Sequence, residues 1–323
     1  MNSVLELCLL NSRYGKYLIE SKRENASKRK EEKIMDMHEK RAKLQEYLRE
    51  PGCTPIMCAY DVLSAKLIEN AGFPIVYTGS FITGASQFGM ADVGLVQLKD
   101  LLPLAREIAK EVDLPIIADV DNGWYHAGNI WRMIHEFEYA GISGIQVEDG
   151  IIGKHVGGEP IDMSKEVMCD HIRAMVDART DKNFMIIART DALWLKNDWE
   201  ETIDRCNAYL EAGADACFIT FAGSIKELKE YRDRINGPVV TTAIHFEDSI
   251  AEETEAGANM SCYWPTALYA AFSAVRATLE KFKETQDITK IDYDFEEHEI
   301  MDILPYDKYY RNMEKFHGAD QYK

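Results

Sequence analysis

Four times in this chain a helical tail ends in Ala-Gly and runs at once into a short apolar segment: IENAGFPIVYTGS, FEYAGISGIQVEDG, LEAGADACFITF and TEAGANMSCYW. Glycine suits the left-handed residue that closes a helix, so each phrase reads as a helix end followed by a strand. Two more apolar runs follow a turn proline, DLPIIADV and NGPVVTTA, and TPIMCAY and NFMIIART complete the set. The strand candidates are residues 54–60, 75–80, 115–120, 144–149, 184–190, 216–221, 238–243 and 259–264, separated by amphipathic stretches such as LKDLLPLAREIAKEV and WEETIDRCNAYLEA. Strands apolar on both faces are what parallel strands covered by helices require. Eight such units within about 210 residues predict a (β/α)8 TIM barrel. A doubly wound open sheet is the alternative, but no G-x-G-x-x-G follows the first strand.

The barrel is expected over residues 51–285. Residues 1–50 form a charge-rich N-terminal extension, read as a solvated helix or mobile arm. Residues 286–323 form a polar, aromatic C-terminal extension that packs on the barrel or on a neighbouring subunit. The net charge, 37 − 55 = −18, argues against a nucleic-acid or anionic-membrane partner and is read first as solubility. No apolar run reaches the roughly 18 residues of a membrane span, and the opening MNSVLELCLL lacks the architecture of a cleavable signal. Seven cysteines stand singly with no C-x-x-C pair, which suits buried thiols in a reducing cytoplasm.

In a barrel of this kind the chemistry sits at the C-terminal ends of the strands. Those ends carry Thr78-Gly79-Ser80, Asp119-Val120-Asp121, Glu148-Asp149 and Arg189-Thr190-Asp191. Like charges brought together in a partly desolvated mouth are costly unless a cation joins them or protons stay on. A hard divalent ion with oxygen ligands answers that need. Asp119 and Asp121, two apart on a strand, should share a face. The bland alternative is that each acid caps a turn or helix, where Asp is favoured; for three acids together the metal cradle is the better account.

The segments AYDVLSAKLIENAGFPIVYTGS, DVDNGW, GIQVEDG and IIARTDA, taken together, resemble the isocitrate lyase/phosphoenolpyruvate mutase superfamily, from Thr54 to Lys283. The resemblance implies a Mg²⁺-dependent barrel enzyme, with Mn²⁺ as a substitute ion, acting on small 2-oxo or 2-hydroxy acids. A pyruvate enolate is held on the metal while a C–C or C–P bond to its methylene carbon is made or broken. Carried over by position, Asp119 matches the direct metal ligand, and Asp121, Glu148 and Asp92 match the acids that hold the metal's waters. Tyr77, Thr78, Gly79 and Ser80 fall in the substrate cradle. Arg189 matches the arginine that steadies the oxyanion or a carboxylate. The resemblance also implies a dimer of dimers with a last helix swapped between subunits.

After the fourth strand the chain reads EDGIIGKHVGGEPIDMSKE. In the family this loop closes over the substrate. Lyases of the isocitrate and methylisocitrate type carry Lys-Lys/Arg-Cys-Gly-His there, and phosphomutases and phosphonopyruvate hydrolases carry Lys-x-Asn-Ser. Here Lys154-His155-Val156-Gly157-Gly158 stands instead. Thr220 and Thr242 replace a glutamate or histidine and an asparagine, and His245 replaces a glutamate. Lys154 and His155 are therefore the expected acid–base groups, with His155 suited by its near-neutral pKa. Thr220 and His245 are expected near the substrate. The sequence reading is a cytoplasmic lyase cleaving a C–C bond of a small dicarboxylate, methylisocitrate lyase-like or oxaloacetate decarboxylase-like. The alternatives are a C–P enzyme and a catalytically silent dicarboxylate-binding relative.

Overall fold

The computed structural model describes residues 35–150, 163–295, 297–304 and 306–316. Helix α1 (Met37–Tyr47) precedes β1 (Thr54–Cys58), α2 (Val62–Asn70), β2 (Ile75–Thr78), α3 (Ser80–Thr83), α4 (Leu98–Glu111) and β3 (Ile116–Asp119). Next come α5 (Trp131–Tyr139), β4 (Gly144–Glu148), α6 (Lys165–Ala178), β5 (Met185–Thr190), α7 (Ala192–Lys196), α8 (Trp199–Glu211) and β6 (Ala216–Phe221). The series closes with α9 (Leu228–Tyr231), β7 (Val239–Ala243), α10 (Ile250–Ala256), β8 (Met260–Tyr263), α11 (Thr266–Thr285), α12 (Glu297–Ile303) and α13 (Tyr306–Lys315). All eight expected strands are present, each within a few residues of its expected limits, and they form a closed parallel barrel in chain order. The seam pairs Thr54 with Met260 and Met57 with Tyr263. This is the (β/α)8 barrel that the repeated helix–Ala-Gly–strand phrase predicts.

Two compact units divide the chain, one holding Met35–Val275 and the other the residues from Arg276 onward. Within the first, one apolar cluster fills the barrel, with Ile56, Ile75, Ile117, Met185, Ile187, Phe218, Val240 and Met260 at its heart. Leu44 and Leu48 belong to that cluster. Helix α1 therefore closes the barrel's N-terminal end, although its sequence is charge-rich and was expected to be solvated ahead of the body. Its polarity is absorbed by specific partners. Arg41, 2% exposed, donates to the carbonyls of Glu138 at 2.7 Å and Ile142 at 3.1 Å and to Asp181 at 3.2 Å. A buried guanidinium satisfied in this way is tolerable.

Helix α8 shows how local sequence sets an element that matters below. Asp198 caps it by accepting from Glu201 N at 3.0 Å, and Glu200 and Glu201 in its first turn oppose the helix dipole's positive end. Arg205 and Tyr209, one turn apart, lie on its buried face. Helix α11 is different in kind: Tyr269, Phe272, Val275 and Leu279, at helical spacing, are 51–63% exposed, and Phe282 is 42% exposed. Among the described residues no helix is long and apolar enough to cross a membrane.

Candidate active site

A cavity of about 280 Å³ is built from the C-terminal strand ends. Cys58, Asp119, Arg189 and Thr242 come to it from the odd strands, and Tyr77, Glu148, Phe218, Thr220 and Cys262 from the even ones. Asp92, Asp191, Trp194, Leu195 and Trp264 complete much of its wall. Of the charged side chains lining it among the described residues, Asp92, Asp119, Glu148 and Asp191 are acids and Arg189 is a cation.

Strand β3 stops at Asp119, and Asp121 turns into the left-handed region with φ 48°. The two acids therefore do not share a face by strand alternation, as their spacing suggested. They are joined by a turn in which Asp119 Oδ1 accepts from Asp121 N at 3.0 Å. Asp tolerates this conformation because its short polar side chain bonds locally. Asp121, 4% exposed, accepts from Ser80 Oγ at 2.7 Å, and the same hydroxyl stands 3.4 Å from Asp92 Oδ1. The Asp121 carbonyl accepts from Glu148 N at 2.7 Å. The ends of β2, β3 and β4 are thus tied together by their acids.

Gly79 is required where it stands. A Cβ there would lie 2.8 Å from Asp119 Cβ and 3.1 Å from its Oδ2, so only glycine lets the backbone approach that carboxylate.

Arg189 is fixed rather than free. Its Nε and Nη2 donate to the two oxygens of Asp191 at 2.7 and 3.0 Å, Nη1 lies 3.4 Å from Glu148 Oε2, and the Phe218 ring sits below, 5.8 Å from the guanidinium carbon. Thr220 Oγ1 donates to Asp191 Oδ1 at 2.8 Å. Burial works against the Arg189 charge, but Asp191 and Glu148 outweigh it and push the pKa well above the ordinary value. Cys58 and Cys262 stand 3.8 Å apart, sulfur to sulfur. Burial, with the Cys262 contact and Asp119, pushes the Cys58 thiol up, so it is a neutral wall and not a nucleophile. Tyr77 donates to Gln146 Oε1 at 2.6 Å, and burial beside Asp119 pushes its phenol up as well.

Among the described residues, no three His, Cys, Asp or Glu side chains are placed to grip an ion together. The donor set nonetheless fits a hard divalent ion that keeps much of its water: all its members are carboxylate oxygens, and the glycine opposite Asp119 keeps that carboxylate accessible. Mg²⁺ holds several waters and takes few direct carboxylates, unlike ions bound in all-protein cages.

The residues expected from sequence fall into three groups. Tyr77, Gly79, Asp92, Asp119, Glu148, Arg189 and Thr220 line the cavity. Thr78, Ser80 and Asp121 are buried beside it. His245 is exposed and is not among the lining residues, although its neighbour Ile244 is. Lys154 and His155 lie outside the described residues. Sequence reasoning gave no role to Asp191, which stood at a strand end two residues after Arg189, or to the apolar wall of Phe218, Trp194 and Trp264.

The family described as phosphoenolpyruvate phosphomutase matches residues 44–283. The chain belongs to the isocitrate lyase/phosphoenolpyruvate mutase superfamily. The 2,3-dimethylmalate lyase of Eubacterium barkeri is 35% identical over 241 residues, 72% of this chain and 83% of its own. A phosphoenolpyruvate phosphomutase from Streptomyces platensis subsp. rosaceus superposes with a TM-score of 0.80 at 31% identity, covering 85% of this chain and 99% of that one. Phosphonopyruvate hydrolase, crystallised with oxalate and Mg²⁺, superposes with a TM-score of 0.76 at 27% identity, covering 87% and 99%.

Proposed function

We propose that this superfamily member is a Mg²⁺-dependent lyase that cleaves a C–C bond of a small 2-oxo or 2-hydroxy dicarboxylate, leaving a pyruvate enolate fragment. The observation that carries the reading is the pairing of Asp119 with Gly79, 2.8 Å from a would-be Cβ, beside an arginine locked by Asp191. Asp119 would hold the ion directly, and Asp92, Asp121 and Glu148 would hold its waters. A divalent ion there lowers the cost of negative charge developing on a substrate oxygen. Mn²⁺ can take the same oxygen ligands.

The chain's own groups do the rest. The turn Thr78–Ser80 presents backbone N–H groups to a carboxylate. Arg189 holds a fixed positive charge toward the enolate oxygen. Phe218, Trp194 and Trp264 exclude water from the departing half. Burial pushes the Cys58 thiol up, so it forms part of the wall and not a nucleophile. A dicarboxylate lyase also suits the absence of Asn-Ser in the 151–162 segment, where C–P enzymes carry it.

The second reading is a C–P enzyme, favoured by the superposition on a phosphoenolpyruvate phosphomutase. The deciding experiment incubates the protein and Mg²⁺ with oxaloacetate, methylisocitrate, dimethylmalate and phosphonopyruvate, scoring pyruvate, glyoxylate and phosphate. Pyruvate without phosphate supports the lyase, and turnover of phosphonopyruvate alone overturns it. Asp119→Ala should abolish turnover and weaken Mg²⁺ binding; undiminished turnover would remove Asp119 from the site.

Two further assignments belong to the same reading. The apolar stripe of α11 is the contact through which subunits associate, as a dimer of dimers. The protein works in the cytoplasm, consistent with six described cysteines that are all free and buried.

A further inference from the structure

We propose that Arg205 and Tyr209 of helix α8 are positioning residues for Arg189, acting through Asp149 and Asp191. This rests on the reading of Arg189 given above. Neither residue lines the cavity, yet both end in the buried polar cluster directly behind it.

Asp149, 0% exposed, is the centre of that cluster. Its Oδ2 accepts from Tyr209 OH at 2.6 Å and from Arg205 Nη1 at 3.0 Å. Its Oδ1 stands 3.3 Å from the backbone N–H of Asp191. Its own N–H donates to the Arg189 carbonyl at 3.2 Å, and its carbonyl accepts from Met163 N at 2.7 Å. Arg205 Nη1 also donates to the Met163 carbonyl at 3.0 Å.

A chain of contacts therefore runs from the helix to the reacting centre. Arg205 and Tyr209 set the carboxylate of Asp149, and Asp149 sets the main chain at Arg189 and Asp191. The Asp191 carboxylate then takes two of the N–H groups of Arg189. A buried carboxylate needs such partners to remain charged. Without them Asp149 would lose its fixed orientation, and with it the hydrogen bond that orders Asp191.

A solely structural role would weaken every property of the protein together. A positioning role acts on Arg189 and leaves the Asp119 side of the site alone. The test uses full-length Tyr209→Phe, which keeps the ring and removes the hydroxyl, and Arg205→Lys, which keeps the charge and removes the fork. Isothermal titration with Mg²⁺ alone, then with oxalate in saturating Mg²⁺, is set beside the melting temperature. Tyr209→Phe should bind oxalate about tenfold more weakly, the scale of losing one hydrogen bond to a charged group, with Mg²⁺ affinity unchanged. Arg205→Lys should weaken oxalate further.

Wild-type oxalate affinity in both variants overturns the inference, and so does a loss of Mg²⁺ and oxalate affinity in proportion to a fall in melting temperature. If the unaltered protein binds Mg²⁺ but not oxalate, the proposed function fails and the inference falls with it. That outcome is distinct because it appears before any substitution is made.

Discussion

Replacing Gly79 with alanine tests the site at its narrowest point. The backbone there is extended, with φ −163° and ψ −179°, which any residue adopts, so the substitution acts only through the added carbon. That carbon would stand 2.8 Å from Asp119 Cβ, against about 3.5–4.0 Å for carbons in good contact. One of the two must retreat by about 0.7–1.2 Å. Neither does so easily. Asp119 ends β3 and pairs with Gln146 of β4, while Thr78, next to Gly79, pairs with Ala118. Overpacking of this kind costs about 1–3 kcal/mol, which lowers the melting temperature by about 2–4 °C for each kcal/mol in a protein near this size. The functional cost is larger, because a misplacement of about 1 Å at a reacting centre is worth on the order of 100-fold. Gly79→Ala should therefore lose most of its Mg²⁺ affinity by isothermal titration while remaining folded. Gly223→Ala, whose Cβ meets nothing nearer than 4.0 Å, serves as the control and should behave as the parent. A Gly79→Ala protein with parental Mg²⁺ affinity and melting temperature would show that the close approach to Asp119 has no bearing on the metal.

Asp119→Asn removes one of several like charges, so it should raise the melting temperature without metal and abolish the rise that Mg²⁺ gives the parent, which is about 2.7 kcal/mol at 100 times the dissociation constant; scanning calorimetry with and without Mg²⁺ reads both, and an unchanged Mg²⁺ response refutes it. Glu252 caps α10 by accepting from Ser249 N and Oγ, each at 2.9 Å, and pairs with Lys226 at 3.3 Å. These bonds, led by that from the Ser249 backbone, hold its pKa down to about 2. Its charge therefore contributes stability above the unfolded value of about 4.3, and that contribution is lost as pH falls toward the folded value. Glu252→Gln should be less stable than the parent at neutral pH, with the gap closing across that window in urea titrations; a gap independent of pH would exclude the charge. Phe272→Glu with Leu279→Glu, on the exposed stripe of α11, should lower the assembly mass by light scattering, and a monomeric parent protein would remove the stripe's proposed role.

The barrel was legible because it repeats. Each Ala-Gly followed by an apolar run marks one strand, and no other fold accommodates eight such units in order so simply. That the acids meet at one cavity was legible for a related reason, since the C-terminal strand ends of such a barrel share one mouth. The geometry joining them was not. The expectation that Asp119 and Asp121 share a strand face fails because β3 ends at Asp119 and Asp121 adopts a positive φ, which a local pattern of alternating residues does not encode. His245 illustrates the same limit: it lies two residues beyond the end of β7, and it is exposed while its neighbour Ile244 lines the cavity. Arg205 and Tyr209 were invisible for a different reason. They sit at helical spacing on α8 and read there as one polar and one aromatic helix residue; only the fold brings them to Asp149, more than fifty residues earlier.

The orientation of Arg189 constrains how a substrate can be held. The family resemblance implies that an arginine in this position steadies the oxyanion or a carboxylate. In the folded chain the fork is turned to Asp191, and two of its N–H groups are committed there at 2.7 and 3.0 Å. Breaking a buried pair of this kind costs about 3–5 kcal/mol, so the arginine is held where Asp191 places it. Arg189 is thus held as a fixed positive charge beside Asp191 and Glu148. Gly79 is the residue that brings the backbone following β2 up to Asp119. In the proposed function the same glycine would serve both the substrate carboxylate and the ion, so a single added methyl group is expected to disturb both.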